Sequence, residues 1–371
     1  MSTFERPAVI SAFITLLVYF VGQPLNLYAG SPQTNPIPGN SYEIQQLASG
    51  VFAAVRRVEA GTADGNTMFI INDSDVIVVD TGAYPTSARQ MIAEIRKRTN
   101  KPVTYIINTH WHYDHTMGNQ TYLDTFPGAQ IVSHPATREL AISNPLEKFV
   151  PAYQEEVVNV DKKLESGKDS DGHPLTAERE KHLELAKSDF EFWIRDAKTT
   201  KAALPTTTVA NSLVLHRGER TIEIRFLGEG HTPGDLVVYL PKERIVATGD
   251  LVVHPVPFGG ATNLKEWPAT LQALKKLDAT TIVPGHGEIQ HDSNYVDREI
   301  ALTQSTWEQV QKAATEGANL DAVRKAVNGD ELSKAFGATS PKDRDEFDYT
   351  YLDSAVEAAF KELHPDIATK Q

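Results

Sequence analysis

The sequence predicts an α/β protein whose chemistry sits at strand ends. Three observations carry that reading. Runs rich in β-branched residues alternate with segments of helical periodicity. Four of those runs release histidine or aspartate into loops that contain glycine. A charged block over residues 136–206 and the stretch from about 292 onward have helical patterning and little strand character.

The strands begin at Tyr42, with YEIQQLA, GVFAAVRRV, NTMFIIN and DVIVVDTG in succession. Asn72 and Asp73 supply a hairpin turn between the last two. Ala88, Met91, Ile92 and Ile95 recur at helical spacing, and VTYIIN follows as a strand. A short helix over about 117–126 precedes the strand AQIVS. Composition changes near Pro135, and residues 136–206 read as a helical insertion whose charge runs are solvated faces. Within it Leu183, Ala186, Phe190, Ile194 and Ala197 form one apolar stripe. Strands return at TTTVANSLVLHRG, TIEIRFLGEG, LVVYLP and RIVATGD, then a helix over about 264–277 leads into TIVPGHG. No internal repeat or low-complexity tract stands out.

Composition removes several function classes. A formal net charge of −13 and the lack of any basic run oppose a grip on nucleic acid, which depends on clustered Lys and Arg. The absence of cysteine excludes disulfides and thiolate ligands, so any metal must be held by His and carboxylates. At the N-terminus Arg6 precedes the apolar stretch PAVISAFITLLVYFVG, with small residues at Ala29 and Gly30. This fits a secretory signal peptide over residues 1–29, although Leu27 makes the cleavage signal imperfect and an uncleaved anchor fits too. Pro32, Pro36, Pro38 and Gly39 mark residues 30–41 as a linker. The expected organisation is then a main domain over 42–300 carrying the insertion, and a helical extension over 301–371. The expected address is periplasmic or secreted, with no stable membrane insertion after the signal is removed.

The densest chemistry is NTHWHYDHTMGN, residues 108–119, which sets His110, His112, Asp114 and His115 within six positions at the end of a strand. Three further segments share the design: FLGEGHTPGD delivers His231, IVATGDLV delivers Asp250, and IVPGHGE delivers His286. Borderline divalent metals such as zinc prefer imidazole and carboxylate held by a rigid scaffold, and strand ends supply one. Glycines at 228, 230, 249, 285 and 287 let the backbone turn beside these residues.

HWHYDH resembles the His-x-His-x-Asp-His motif of the metallo-β-lactamase superfamily, and the later His, Asp and His follow in the same order. The resemblance runs from about Tyr42 to His291, the insertion excepted. It implies an αβ/βα four-layer sandwich, two mixed sheets flanked by helices. It also implies a site for two zinc ions or other divalent cations. His110, His112 and His231 would hold the first, Asp114, His115 and His286 the second, and Asp250 would bridge them. The implied reaction is hydrolysis by a hydroxide shared between the metals, with Asp114 as the catalytic residue that orients it and takes its proton. Asp80, in VVDTG, matches an aspartate that supports a ligand histidine, and Thr109 stands near the site. His134 is expected at the rim, and His254, in HPVPFGG, at the substrate. Trp111 and Tyr113 alternate with the ligands and either line the cleft or pack beneath it. His173, His182, His216, His291 and His364 have no partner motif and are expected at the surface.

Fold alone does not fix the substrate in a superfamily that cleaves β-lactams, lactones, thioesters, phosphodiesters and sulfate esters. The Asp114–His115 pair resembles the cysteine-free β-lactamases, which usually lack a bridging aspartate. Asp250 instead resembles the glyoxalase II, lactonase and phosphodiesterase branches. The acidic C-terminal third departs from the basic glutathione grip of glyoxalase II. The expectation is a di-zinc hydrolase of a small cyclic amide or ester, β-lactamase-like. The alternatives are a lactonase, general esterase or thioesterase, a mononuclear iron sulfur dioxygenase, and a non-enzymatic metal-binding protein.

Overall fold

A computed structural model describes residues 42–56, 64–168, 174–175, 177–198, 200–260, 263–315 and 319–365. The expected signal peptide and linker lie outside the described residues. So do His173 and the side chain of His182.

The first sheet has seven strands in chain order: β1 Tyr42–Ala48, β2 Val51–Arg56, β3 Thr67–Ile71, β4 Val76–Val79, β5 Val103–Ile107, β6 Gln130–Ser133 and β7 Thr207–Thr208. β1 to β4 pair antiparallel, and β4 to β7 pair parallel. The β3–β4 hairpin turns through Asn72–Asp75, closed by Asn72 N–H donating to the Asp75 carbonyl at 2.9 Å. The second sheet has the order β12-β11-β10-β9-β8, from β8 Ser212–Arg217, β9 Arg220–Phe226, β10 Leu236–Leu240, β11 Ile245–Val253 and β12 Thr281–His286. Only its β11–β12 pair is parallel.

Strand periodicity separates the cores. In β10, Leu236, Val238 and Leu240 face the inter-sheet core, while Val237 and Tyr239 face outward into helices. In β4, Ile77 and Val79 join the same inter-sheet core, while Val76 and Val78 pack under helices on the other side. Apolar residues on both faces explain why these strands read as unbroken runs and not as alternating ones.

On the first sheet's outer face lie α1 Pro85–Arg96, α2 Tyr113–Thr116 and α3 Asn119–Thr125. Pro85 starts α1, and Ala88, Met91, Ile92 and Ile95 form its buried stripe. The insertion is helical as expected: α4 Pro135–Ser143, α5 Phe149–Ser166 and α6 Ala177–Ala197. Leu183, Ala186, Phe190 and Ala197 pack with Phe149, Tyr153 and Trp193 in a core of their own, which Trp111 and Tyr113 join.

The second sheet is covered by α7 Trp267–Lys275, α8 Asn294–Thr315, α9 Leu320–Ala326, α10 Gly329–Phe336, α11 Pro341–Phe347, a π-helical turn over Asp348–Leu352, and α12 Asp353–Leu363. Asn319 and Asn328 cap α9 and α10 by accepting from the amides of Ala322 and Glu331. The boundary expected after residue 300 falls inside α8. Phe336, Tyr351, Val356 and Phe360 share one core with Val246, Trp267 and Ile282, so the helical extension forms the fourth layer of the sandwich.

Candidate metal centre

β5 brings the chain to Ile107, and the next eight residues hold four potential ligands. His112 is extended (φ −63°, ψ 145°) at the start of α2, whose single turn carries Asp114 and His115. From the second sheet, His231 lies between β9 and β10 in a loop fixed by Asp235, which accepts from the Thr232 amide at 2.8 Å. Asp250 stands within β11, and His286 ends β12.

These seven side chains form two buried sets, His110–His112–His231–Asp250 and Asp114–His115–Asp250–His286. In each set the donor atoms lie within 4.8 Å of one another. In the first, His112 Nδ1 is 3.1 Å from His110 Nε2 and 3.0 Å from His231 Nε2. In the second, His286 Nε2 is 3.1 Å from His115 Nε2 and 3.0 Å from Asp114 Oδ2. Ligand atoms around a tetrahedral zinc sit about 3.3 Å apart, so these spacings lie close to those of a coordination shell.

Asp250 divides its two oxygens between the sets. Its Oδ2 is 3.8 Å from His110 Nε2 and 3.6 Å from His231 Nε2. Its Oδ1 is 3.1 Å from His115 Nε2 and 3.5 Å from His286 Nε2, without the alignment of a hydrogen bond. Both Asp250 oxygens and Asp114 Oδ1 are buried and lack hydrogen-bond partners. Buried carboxylate oxygens rarely go unpaired, so these atoms pass the test for a cation bound between them.

Electrostatics prepares the donors. Burial holds His110 well below its usual range, and pushes His112 down to about 3 and His231 to about 4. All three imidazoles are therefore neutral and able to ligate at neutral pH. At His115 and His286 burial works the same way but is outweighed, chiefly by the charge of Asp250, and both are raised. Burial also opposes ionisation of Asp114 and Asp250, yet His115 and His286 hold both carboxyls below the usual range.

Asp80 occupies the place expected of it. Its Oδ2 is 2.9 Å from His115 Nδ1 and accepts from the Thr109 hydroxyl at 2.7 Å, while Oδ1 accepts from the Thr109 amide at 2.8 Å. The Thr109 hydroxyl is in turn 3.0 Å from His110 Nδ1. One carboxylate thus fixes His115 directly and His110 through Thr109, directing both Nε2 atoms inward. Asp80 holds a left-handed φ of 57°, which the surrounding structure must enforce for a non-glycine residue.

Two glycines are required here. A Cβ on Gly249, at φ 53°, would lie 2.3 Å from Thr109 Oγ1, and one on Gly285 would lie 1.9 Å from Asp250 Oδ1.

Two histidines expected at the rim and at the substrate have structural contacts. His134 accepts from the Ala136 amide at 3.2 Å as the N-cap of α4, and its ring stacks on Phe226 at 4.3 Å. It caps that helix. The His254 ring packs edge-on to Tyr295 at 5.1 Å, while its amide donates to the His286 carbonyl at 3.1 Å. It acts as a backbone clamp whose ring faces the C-terminal helices. Trp111 and Tyr113 are buried: Trp111 lies 4.5 Å from the His112 ring, and the Tyr113 hydroxyl donates to the Asn144 carbonyl at 2.6 Å. His216 and His291 are exposed, and His364 is half-buried against Phe360.

Sequence reasoning missed Asn66. Its Nδ2 donates to the carbonyls of Pro284 at 3.0 Å and Gly287 at 2.9 Å, and its Oδ1 accepts from the Arg56 amide at 2.9 Å. The loop of His286 is thereby clamped to the first sheet. The only local signal was a turn-forming DGN at 64–66 ahead of a strand.

The profile described as "Metallo-beta-lactamase superfamily" matches residues 60–286, more than half of the chain. The chain belongs to this superfamily. Its members are hydrolases that bind divalent metals, and two candidate His/Asp sets that could hold such metals are present here. Within the superfamily the chain is similar to a linear primary-alkylsulfatase from Pseudomonas sp., 26% identical over 241 residues, which span 62% of this chain and 42% of that protein. It is also similar to metallo-beta-lactamase IND-1 of Chryseobacterium indologenes, 23% identical over 229 residues, 60% of this chain and 72% of that one. Among solved structures, the sec-alkylsulfatase Pisa1 from Pseudomonas sp. aligns with a TM-score of 0.61 at 15% identity, covering 87% of this chain and 50% of that chain. That likeness concerns the fold. The chain spans less than half the length of the curated alkylsulfatase.

Proposed function

We propose that this chain is an exported di-zinc hydrolase that opens a small cyclic amide or ester, β-lactamase-like in its chemistry. The reading is supported above all by two buried ligand sets that share Asp250 through separate oxygens. Two cations in those sets would lower the pKa of a bound water and polarise the electrophile's oxygen. The protein's own part is then positional. Asp114 offers its unpartnered Oδ1 to the proton of the attacking water while Oδ2 faces His286. The Asp80–Thr109 pair keeps His115 and His110 in the ligating tautomer. His112 is 9% exposed while the other six residues are at most 1% exposed, so a substrate would approach on the His112 side, beside Trp111.

A second reading, sulfate-ester hydrolysis, is favoured by the likeness to the linear primary-alkylsulfatase. Elemental analysis of chain purified without chelator, joined to turnover of nitrocefin, a lactone, an aryl ester and an alkyl sulfate, tests both. The expected result is about two zinc ions per chain and the fastest turnover on the cyclic amide or an ester. A single tightly held iron that excludes a second metal under excess zinc would sink the hydrolase reading. Turnover confined to the alkyl sulfate would transfer the substrate to the second reading. N-terminal sequencing of the exported chain, expected to begin near Gly30, tests the address.

A further inference from the structure

Three consecutive buried residues lead into β3: Asp64, Gly65 and Asn66. The Gly65 amide donates to the Asp114 carbonyl at 3.1 Å. Its α-carbon lies against the His115 ring, where an added Cβ would come 2.6 Å from Cε1 and 3.0 Å from Nε2. The Asn66 amide donates to the Gly285 carbonyl at 2.7 Å, beside the side-chain bonds to Pro284 and Gly287. One residue thus holds three of the carbonyls around His286. Asp64 is the anchor. Its carboxylate accepts from the Ala83 amide at 2.5 Å and from the Ser87 hydroxyl in the first turn of α1.

These contacts fall on one of the two ligand sets. Asp114, His115 and His286 are the donors that belong to the second set alone, Asp250 being shared. Gly65 meets the backbone of Asp114 and the ring of His115, and Asn66 meets the chain on both sides of His286. In the first set, His110 is oriented through Thr109, and His231 sits in the loop that Asp235 fixes. Asp114 and His286 come from opposite sheets, yet Oδ2 and Nε2 stand 3.0 Å apart. A gap of that size is kept only if both loops are tied to a common support, and the backbone of residues 65 and 66 is one.

We propose that Asp64–Gly65–Asn66 is a brace dedicated to the second metal. Gly65 sets the position of Asp114 and His115, Asn66 sets that of His286, and the turn thereby fixes the space the ion fills. This rests on the two-metal reading above. Asn66 is a positioning residue that acts through the His286 loop. Removing its side chain takes the donor from two carbonyls at once, so the loop shifts while the imidazole itself remains.

The test is a zinc titration of the metal-free full-length chain by calorimetry, for wild type and Asn66→Ala. The variant should bind one zinc within about twofold of the wild-type affinity and the other about tenfold to a hundredfold more weakly. Cobalt in place of zinc identifies the weakened ion. The shifted proton signals of His115 and His286 should fade, and those of His110, His112 and His231 should persist. Gly65→Ala, whose methyl would press on His115, should show the same split. Asp75→Asn is the control, because Asp75 bonds to Arg217 of the other sheet from the opposite end of β4. It should melt lower yet keep both affinities, which separates local placement from a general loosening of the sheets. A loss shared by both ions in Asn66→Ala, weakening confined to the first set, or the same split in Asp75→Asn overturns the proposal. If neither Asn66→Ala nor Gly65→Ala folds, hydrogen exchange of the metal-free wild type decides. The Gly65 and Asn66 amides should then exchange as slowly as those of β3, and exchange at the rate of an open loop overturns the brace. Failure of the wild type to take up two divalent metals would instead bring down the two-metal reading, and this inference with it.

Discussion

Asp114 and Asp250 are both carboxylates among histidines, yet their surroundings give them different work. Asp250 spends one oxygen on each ligand set, whereas Asp114 faces His286 with Oδ2 and leaves Oδ1 without a partner. Asp114→Asn keeps an oxygen of similar size and removes the charge and most of the basicity. Under saturating zinc it is expected to retain much of its metal and lose at least about a hundredfold in turnover, the scale of acid–base assistance. Metal content and turnover measured on one sample decide this, and a metal-loaded variant at wild-type rate would remove Asp114 from water activation. All seven members of the two ligand sets were legible in the sequence because motif spacing marks them, and Asp80 because it ends the strand in VVDTG. Asn66 was not legible. Its amide acts on carbonyls more than two hundred positions away, and nothing in the residue type announces that. At His134 the sequence left the role open, since a histidine at a strand end and one capping the next helix look alike.

At the scale of elements, β4 is fixed at both ends by an aspartate. Asp80 follows its C-terminal end and serves the ligands, while Asp75 precedes its first residue and ties the two sheets together. Asp75 accepts from Asn72 at 3.0 Å, from Thr104 of β5 at 2.6 Å and from Arg217 of β8 at 2.7 Å. Burial raises its carboxyl, but these hydrogen bonds outweigh burial and hold it below its ordinary value of 3.8. A depressed folded-state value means stability that is present above the ordinary value and lost as pH falls through the folded one. Asp75→Asn is therefore expected to cost about 1–3 kcal/mol at neutral pH, with the gap to wild type closing below pH 4. Denaturant unfolding of both proteins across that range is the measurement, and a gap that does not change with pH would refute it. The hairpin itself was legible from Asn72 and Asp73, as was the helical insertion from its apolar stripe. The two-residue β7 was not, because a strand that short has no period to read.

For the whole molecule, the sequence suggested a domain with a helical C-terminal extension, and that extension packs as a layer of the sandwich. Helices are locally patterned, but which sheet face they cover depends on contacts that periodicity does not encode. Val246, Trp267 and Ile282 share one buried core with Tyr295, Val310, Phe336, Tyr351 and Phe360 from the helices that begin at Asn294. A chain ended at His291 should accordingly lose cooperative unfolding and aggregate, since each large apolar side chain uncovered forfeits about 1.5–3 kcal/mol. Thermal melting and light scattering would show it, and a soluble, cooperatively melting fragment would overturn this view of the C-terminal helices. The same architecture bears on the ligand sets. Each draws two donors from loops of the first sheet and two from the second, so neither sheet can complete a coordination shell alone. A cation held in either set would therefore be a removable cross-link between the two sheets, added to the fixed hydrogen bonds of Asn66 and of the Asp75–Arg217 pair. Metal supply would then govern how far the sheets can breathe apart, as well as whether the chain reacts.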